Sequence, residues 1–445
     1  MIIEKIHVGE IIGGRYDNSF VLYHHRVSNF KYSAYPLNRF LKGKPQYGAG
    51  EAGIPRENNN SPRYIRITDI DENGLLNDGI GVTAKNIEEK YILNNNDILI
   101  ARSGNTVGKS YIHKTAIVQE PCFYAGYLIR FVIDDHQISP DFVFIFTKLP
   151  VFNDWVKVTQ RVTGQPNINA EEYSNLPIPV PPVNIQQKIV KIYSKALQAR
   201  VNKIQKAKRL LDGIDDYLFE VLKIDKNFGE TKVNKPILQN LSTLVGSRLD
   251  PLQFHPEKME MIEKIKQKNW CKLKDVRSNV KTVSSKILPN EAYIGLENID
   301  SYTGDYIPSK EKEAVSSAAK FKQGDILFPK LRPYLNKVHR AQFDGCCSTE
   351  FHVFEARNIH PDYLTIILRS SMILAQTKHL MTGNTLPRLQ TTDVDNLILP
   401  FPETTIQEEI VKTISAKKDK AKQLQKEGDA LLEEAKQQIE KMIIG

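Results

Sequence analysis

The chain contains an internal duplication, in which a proline-rich stretch followed by a long helical pattern occurs twice. The first copy begins at Thr163 as TGQPNINAEEYSNLPIPVPPVNIQQKIV. The second begins at Thr382 as TGNTLPRLQTTDVDNLILPFPETTIQEEIV, so that Gln186 aligns with Gln407. A self-match at a separation of about 220 residues indicates one structural unit repeated twice. In a chain of 445 residues, this repeat divides the whole protein into two halves.

Each proline-rich stretch predicts an extended segment that leads into a long helix. Proline has no amide donor and a fixed φ, which excludes a central strand or a helix at residues 177–182. Asn184 is the predicted N-cap of the first helix. Apolar residues then recur at intervals of three and four, at Ile185, Ile189, Ile192, Ala196, Ile204, Ala207, Leu211, Ile214, Leu218 and Val221. The second helix repeats the pattern at Ile410, Ile414, Ala421, Leu424, Leu431, Ala435 and Met442. Two helices of about 38 residues, each roughly 57 Å long, are expected to bury these stripes against each other.

The segments before the two helices form two globular blocks of short strands. In the first block, strands are predicted near residues 64–67, 97–100, 109–112 and 127–132, with a helix after Pro140. The second block repeats several of these segments, because Tyr293-Ile294 matches Tyr64-Ile65 and Asp325-Ile326-Leu327 matches Asp97-Ile98-Leu99. Between these matches the sequences diverge, as in ARSGNTVGKSYIHK and FPKLRPYLNKVHRAQF. A shared frame with different loops indicates two binding modules with different targets.

Composition limits the class of protein. The net charge of +9 favours a polyanionic partner, although many basic proteins bind no polyanion. The four cysteines, Cys122, Cys271, Cys346 and Cys347, show no metal-ligand spacing and predict a reduced, cytoplasmic protein. The N-terminal residues do not have the pattern of a signal peptide, and no apolar run is long enough to span a membrane.

Two glycine-rich stretches approach nucleotide-binding motifs without matching them. The stretch from Gly104 to Ser110 has three residues between its glycines where a P-loop needs four, and the following residues predict a strand. We therefore expect a β-hairpin there. Gly48, Gly50 and Gly53 satisfy a dinucleotide fingerprint, but no strand precedes them and Pro55 interrupts the expected helix. No catalytic or metal-binding constellation is predicted, and the alternative of an enzyme with a divergent nucleotide site stays open.

Polar and basic side chains in the divergent loops are the candidate nucleic-acid contacts. Arginine and asparagine can pair bidentately with guanine and adenine, whereas lysine mostly neutralises phosphate. The first half contributes Arg102, Ser103, Asn105, Thr106, Lys109, Arg161, Gln165 and Asn167. The second contributes Lys330, Arg332, Tyr334, Asn336, Lys337, Arg340, Asn384, Arg388 and Gln390. A solvated hairpin is the alternative interpretation of residues 330–340.

The first long helix carries basic residues and no acid before Asp212, and the second carries charges of both signs. The basic residues of the first helix before Asp212 are Lys188, Lys191, Lys195, Arg200, Lys203, Lys206, Lys208 and Arg209. The acids of the second helix include Glu408, Glu409, Glu427, Glu433 and Glu434. We expect some of these charges to pair between the helices, and the rest to face DNA or an acidic partner subunit.

The duplicated blocks resemble the specificity subunit of type I restriction–modification enzymes. The resemblance is carried by YIRITDI from Tyr64, DILIARSGNTVGKS from Asp97 and LPIPVPPVNIQQKIV from Leu176, and it covers essentially the whole chain. It implies two target-recognition domains, each reading half of a split DNA site, and two antiparallel helices that act as a spacer. It also implies modification subunits that dock along the helices and use S-adenosylmethionine, and a restriction subunit that uses ATP and magnesium.

The resulting prediction is an α/β (α+β) chain with two mixed α/β target-recognition domains joined by two long antiparallel coiled-coil helices, in a pseudo-twofold internal repeat. The predicted domains are residues 1–180 and 227–401, and the predicted helices are residues 181–226 and 402–445. The predicted function is DNA recognition without catalysis, in the cytoplasm, with double-stranded DNA and the other subunits as partners and no cofactor in this chain. Two alternatives are the recognition subunit of a modification-only or related phage-defence system, and a coiled-coil scaffold that does not bind DNA.

Overall fold

The computed structural model describes residues 23, 27–58, 60–160, 165–227, 254–279, 283–284, 291–308, 317–378, 380 and 388–445. The chain divides into two compact units. Unit 1 comprises Met1–Lys203 and Gln425–Gly445, and unit 2 comprises Ile204–Leu424. The divisions fall inside the two long helices, so each unit combines one half of the chain with part of both helices.

Unit 1 contains short strands, three short helices and parts of both long helices. Its strands are β1 (Ala34–Pro36), β2 (Gln46–Tyr47), β3 (Ile54–Pro55), β4 (Arg63–Ile65), β5 (Val82–Thr83), β6 (Ile98–Ala101), β7 (Ser110–Ile112), β8 (Cys122–Tyr124), β9 (Leu128–Phe131) and β10 (Pro177–Pro179). Its helices are α1 (Pro140–Phe146), α2 (Pro150–Thr159), α3 (Ala170–Ser174) and the first part of α4 (Val183–Leu222). The strands form sheets in the orders β1-β10, β2-β9-β6-β7 and β3-β5-β4-β8.

The predicted strands and the helix after Pro140 are confirmed in unit 1. The proline-rich segment is extended as expected, because β10 pairs only with β1 in a two-stranded antiparallel sheet. Proline at the first position of α1 costs no hydrogen bond, and the Ser139 hydroxyl accepts one from the Phe142 amide at 3.4 Å. The stretch that approaches a P-loop is a hairpin, since β6 and β7 pair antiparallel and a strand follows the loop.

Unit 2 has the same kinds of elements. Its strands are β11 (Trp270–Lys272), β12 (Arg277–Asn279), β13 (Val283–Ser284), β14 (Tyr293–Ile294), β15 (Ala318–Phe321), β16 (Ile326–Pro329), β17 (His339–Arg340), β18 (Gly345–Ser348), β19 (Phe351–Ala356) and β20 (Ile398–Pro400). Its helices are α5 (Pro256–Lys266), α6 (Pro361–Arg369), α7 (Ser371–Thr377), α8 (Thr391–Asp395) and parts of α4 and α9 (Thr404–Ile443). The sheet orders are β11-β20, β12-β19-β16-β17 and β13-β15-β18-β14.

Comparison of the sheets confirms a mixed α/β fold that occurs twice. The order β2-β9-β6-β7 in unit 1 corresponds strand for strand to β12-β19-β16-β17 in unit 2. In the other large sheet, β4 and β8 form a parallel pair that corresponds to β14 and β18. The remaining strands of that sheet differ, because β5 joins β4 whereas β15 joins β18. The repeat therefore preserves one sheet and rearranges the edge of the other.

The duplicated Ile-Gln pair has the same structural role in both units. The Gln186 side chain donates to the Pro181 carbonyl at 2.9 Å and accepts from the Ser139 amide at 3.0 Å. The Gln407 side chain likewise donates to the Pro402 carbonyl and accepts from the His360 amide, both at 2.9 Å. Both glutamines are buried. Each ties the proline-rich segment and the long helix to the start of a short helix, α1 or α6, which explains why the pair recurs.

The long helices pack against each other within each unit. In unit 1, Arg200 of α4 pairs with Asp429 of α9 at 2.7 Å, and Lys203 pairs with Glu427. Residue numbers rise along one helix as they fall along the other, which confirms the predicted antiparallel arrangement and interhelical charge pairing. In unit 2, the Lys417 ammonium of α9 donates to the Gly213 carbonyl of α4 at 3.3 Å.

Each long helix has 40 residues, close to the predicted length of about 38, and two other helix predictions were wrong in detail. The helix α4 already begins at Val183, so Asn184 lies inside it and is not its N-cap. The Asn184 side chain instead accepts from the Ile185 amide at 3.0 Å. In α9, Leu431 is exposed and Met442 is only partly buried, whereas Leu432, Ile439 and Ile443 are buried. The predicted Ile410, Ile414, Ala421 and Ala435 are buried, so the buried stripe departs from the predicted one by single-residue shifts, from Leu431 to Leu432 and from Met442 to Ile443.

The four cysteines are free thiols, and three of them are buried. Within the described residues, no helix has the length and apolar character needed to cross a membrane.

Candidate nucleic-acid interface

In unit 1, the hairpin loop between β6 and β7 meets the segment before α3. Ser103 and Asn167 form an antiparallel bridge. The Ile168 amide donates to the Arg102 carbonyl at 2.9 Å, and the Gly104 amide donates to the Pro166 carbonyl at 2.9 Å. These backbone contacts bring together two segments that are about 60 residues apart in the chain. We call this arrangement junction 1.

Junction 1 borders a cleft of about 960 Å³. The predicted site residues that line the cleft are Arg102, Ser103, Thr106 and Gln165. Other residues that line it include Arg66, Thr68 and Tyr127. The Arg102 guanidinium lies 4.9 Å from the centre of the Tyr47 ring. Arg102 Nε and Asn167 Oδ1 are buried and have no hydrogen-bond partner among the described residues. A buried polar atom without a partner is costly, so these two atoms are suited to a polar ligand.

The other predicted residues of unit 1 differ in exposure and in their contacts. Asn105 is exposed at the tip of the hairpin loop. Lys109 is mostly buried and pairs with Glu72 at 3.2 Å, which holds it within the domain. The Thr106 hydroxyl donates to the Ser103 carbonyl at 3.2 Å and closes the loop. Arg161 lies outside the described residues.

Unit 2 has a corresponding junction. Leu331 and Arg388 form an antiparallel bridge, and the Leu389 amide donates to the Lys330 carbonyl at 2.9 Å. The Lys330 amide donates to the Glu350 carbonyl at 2.7 Å, in the turn between β18 and β19. Arg388 forms a bidentate ion pair with Glu350, with Nε at 2.9 Å and Nη2 at 2.8 Å from the two carboxylate oxygens. We call this arrangement junction 2.

The loop between β16 and β17 carries exposed side chains beside junction 2. Arg332 and Tyr334 are exposed, and the Arg332 side chain forms no hydrogen bond or ion pair within the described part of the chain. Its φ of +48° is in the left-handed region, which is uncommon for a long side chain. The strand pairings align Arg332 with Gly104, whose φ is +73°. The two hairpins therefore share a backbone shape that glycine adopts without strain and arginine does not.

Most of the other predicted residues of unit 2 are held by contacts within the domain. Asn336, also left-handed, donates from its side chain to the Arg369 carbonyl at 2.8 Å. The Lys337 ammonium donates to the Leu296 carbonyl at 2.7 Å, and Arg340 pairs with Asp362 at 2.7 Å. Gln390 precedes α8 at its N-cap. These four do not join junction 2, and Asn384 lies outside the described residues.

A buried cation supports each hairpin from behind. In unit 1 the Lys148 ammonium donates to the Ser110 carbonyl at 2.7 Å, and burial lowers the pKa of Lys148 to about 7. In unit 2 the Arg369 guanidinium donates to the Asn336 carbonyl at 2.6 Å, and burial lowers the pKa of Arg369 to about 10. Each cation follows or ends the equivalent helix, α1 or α6. Both hairpin loops are therefore anchored to the helical side of their domain.

Sequence reasoning missed two residues at the junctions. Tyr127 and Glu350 each immediately precede the equivalent strands β9 and β19. The carbonyl of each accepts from the residue that follows β6 or β16, since the Arg102 amide donates to Tyr127 at 3.0 Å. Tyr127 is 64 % exposed. Alignment of the two strands by their alternation of buried residues could have found this pair, because both follow a short polar or glycine-containing turn.

Comparison with known proteins identifies a family. The family described as the type I restriction modification DNA specificity domain matches residues 52–210 and 260–434. The chain is 22 % identical over 367 residues to the specificity subunit of the type I restriction enzyme EcoDI of Escherichia coli, covering 78 % of this chain and 77 % of that one. It is 21 % identical over 387 residues to the specificity subunit of the MjaVIII enzyme of Methanocaldococcus jannaschii, covering 83 % of each.

Solved structures of the same kind of protein are also similar. A crystal structure of the type I restriction–modification S subunit from M. genitalium is 13 % identical, with a TM-score of 0.42, and the match covers 94 % of this chain and 97 % of that chain. A structure described for the assembly and conformational transition of a type I R-M system is 13 % identical, with a TM-score of 0.43, and the match covers 90 % and 96 %. Since the family match spans more than half of the 445 residues, the chain belongs to the family of type I restriction–modification DNA specificity proteins, with the specificity domain present twice.

Proposed function

We propose that this chain is the DNA sequence-specificity subunit of a type I restriction–modification complex, and that each unit reads one half of a split, asymmetric DNA site. The observation that carries the proposal is that junctions 1 and 2 have equivalent backbones and different side chains. The equivalent pairs are Arg102 and Lys330, Ser103 and Leu331, Tyr127 and Glu350, and Asn167 and Arg388. Two readers with one frame and different chemistry suit two different half-sites.

The side chains at the junctions suit contact with base edges and phosphates. Arginine donates to guanine O6 and N7, and asparagine pairs with adenine N6 and N7, so Arg102, Asn167 and Arg388 are candidate base readers. Exposed Arg332 and Tyr334 flank junction 2, where they can contact the backbone or a base. The net charge of +9 supports association with DNA through counterion release.

In this proposal the chain recognises DNA and its partners perform the chemistry. Modification subunits carry S-adenosylmethionine, and a restriction subunit carries ATP and magnesium. The relatives named as specificity subunits support this division of labour. Docking of the modification subunits is assigned to α4 and α9. The exposed lysines of α4 that do not pair with α9, including Lys188, Lys191 and Lys195, are available for this contact or for DNA.

Co-expression with a modification subunit from the same genome tests the proposal. Methylation of the host DNA is then mapped by long-read sequencing, with the modification subunit alone as the control. The proposal predicts methylated bases in one split, asymmetric motif that appears only when both chains are present. A stable complex that adds no methylation would contradict it and favour the scaffold alternative.

A further inference from the structure

The Glu350 carboxylate lies where three segments of unit 2 meet. The main-chain carbonyl of Glu350 accepts a hydrogen bond from the Lys330 amide of the β16–β17 hairpin at 2.7 Å. Its side chain holds Arg388 of the segment before α8 through two hydrogen bonds, at 2.8 and 2.9 Å. The Lys330 ammonium donates to the neighbouring Thr349 carbonyl at 2.6 Å. The carboxylate is thus fixed by Arg388 at the centre of junction 2, and the Lys330 ammonium is held on the residue that precedes it.

The pair is charged and accessible. The hydrogen bonds from Arg388 hold the pKa of Glu350 below its usual range, so that the side chain is ionised at neutral pH and can only accept hydrogen bonds. The Arg388 side chain is 42 % exposed and the Glu350 side chain 26 % exposed. A ligand that approaches junction 2 therefore meets a fixed acceptor beside a fixed donor.

An ionised carboxylate is an unusual group on a surface that binds DNA. Phosphates repel it, so it is tolerated only where it faces a hydrogen-bond donor. In the major groove the donors are the amino groups of cytosine N4 and adenine N6. Arginine needs acceptors, and guanine offers two neighbouring ones, O6 and N7, whereas the two acceptors of an A·T pair, adenine N7 and thymine O4, are separated by the N6 amino group. Guanine O6 and cytosine N4 are hydrogen-bonded to each other, so one G·C pair presents an acceptor and a donor side by side.

We propose that the Glu350–Arg388 pair reads one G·C base pair in the half-site recognised by unit 2. Glu350 accepts from cytosine N4, and Arg388 donates to guanine. This inference rests on the proposed function and adds a base identity to it. At the equivalent place in junction 1, Tyr127 presents an exposed ring and no carboxylate, so the half-site read by unit 1 does not share this rule.

The competing explanation is that Arg388 contacts a phosphate and Glu350 only holds it in place. The two roles differ in what a substitution does. Loss of a base contact relaxes one position of the motif, whereas loss of a phosphate contact weakens binding to all sequences and lowers the dependence of affinity on salt.

The test maps the methylated motif of the co-expressed complex for Glu350→Gln, Glu350→Asp and Arg388→Gln. Glutamine keeps the shape of the side chain and adds a donor, and aspartate keeps the charge and shortens the side chain. Glu355→Gln is the matched control, because Glu355 is an exposed glutamate near the far end of β19, the strand that follows Glu350, and lies away from the junction. Tyr127→Ala identifies which half-site belongs to unit 1.

We expect Glu350→Gln and Arg388→Gln to relax the same G·C position by about 5- to 150-fold in preference, and Glu350→Asp to weaken it in the same place. The other half-site and the Glu355→Gln motif stay unchanged. Uniform weakening across all sequences, or relaxation at an A·T position, would overturn the assignment. If the wild-type complex produces no split motif, the proposed function itself fails. If it does and these variants leave every position intact, only the present inference fails.

Discussion

At the scale of single residues, the hairpin loops of the two halves share one backbone conformation and carry different side chains. The hairpin that follows β6 or β16 has left-handed positions, which glycine occupies at Gly104 and Gly108 and which Arg332 and Asn336 occupy in unit 2. A left-handed arginine costs on the order of 1 kcal/mol and persists where the surrounding structure determines it. Such strain is typical of residues that a function requires, which supports Arg332 as a DNA contact.

Buried Lys148 makes the stability of unit 1 dependent on pH. Its pKa in the folded chain is about 7, below the ordinary value of 10.5, so between these values the unfolded chain holds a proton that the folded chain does not. The cost of burying the charge is full below pH 7 and disappears as the pH rises towards 10.5. We expect the wild-type chain to gain stability relative to Lys148→Met by up to about 1.4 kcal/mol per pH unit between pH 7 and 9.

Urea unfolding of the two proteins at pH 7, 8 and 9 measures this difference directly. The Met variant is the reference that cancels the contribution of all other titrating groups, because it differs from the wild type only at residue 148. A difference in unfolding free energy that is independent of pH would show that Lys148 stays protonated in the folded chain.

At the scale of elements, the proposed function assigns the long helices the role of a ruler. Each has 40 residues, which corresponds to about 60 Å. In unit 1 the pairs Arg200–Asp429 and Lys203–Glu427 place residues 197–203 opposite residues 427–433. Facing segments of seven residues can be removed together without a change in the phase of the apolar stripe.

Deletion of residues 197–203 together with 427–433 is expected to shorten the unread spacer of the methylated motif. Seven residues of helix span about 10 Å, which is about three base pairs at 3.4 Å each. Both half-sites should keep their sequences, because neither junction is touched. Deletion from one helix alone is the control, and it should abolish methylation since the facing contacts lose register. A spacer of unchanged length in the double deletion would exclude the ruler.

The positions of the strands could be predicted from the sequence better than the strand pairing at the sheet edges. The alternation and turn residues indicated β4, β6, β7 and β9, and the duplicated Gln186 and Gln407 indicated the repeat. The different edges β5 and β15 could not be foreseen, because two-residue and four-residue strands are chosen by tertiary pairing rather than by local preference. Glu350 was missed for a related reason, since its role depends on Arg388, which approaches it only through the bridge to Leu331.

At the scale of the whole molecule, duplication followed by divergence explains how one chain can recognise an asymmetric target. The preserved parts are the sheet with β6 or β16, the glutamine that fastens each proline-rich segment, and the long helices. The divergent parts are the junctions, whose equivalent positions carry different side chains. A family of such proteins can change specificity in one half without altering the frame of the other, because each junction is built from contacts inside its own unit.

The measurement that tests this account most directly is the methylated motif of two variants, Arg102→Gln in unit 1 and Arg332→Ala in unit 2, each co-expressed with the modification subunit. Arg332→Gly is a control for backbone strain, because it removes the same side chain and suits the left-handed conformation. We predict that each variant relaxes or weakens one half-site only, a different one in each case, by roughly 1–3 kcal/mol per lost base contact. The glycine variant should match the alanine variant in specificity. Equal losses on all sequences would reassign the substituted arginine to a phosphate contact. Changes by both variants in the same half-site would contradict the claim that each unit reads its own half.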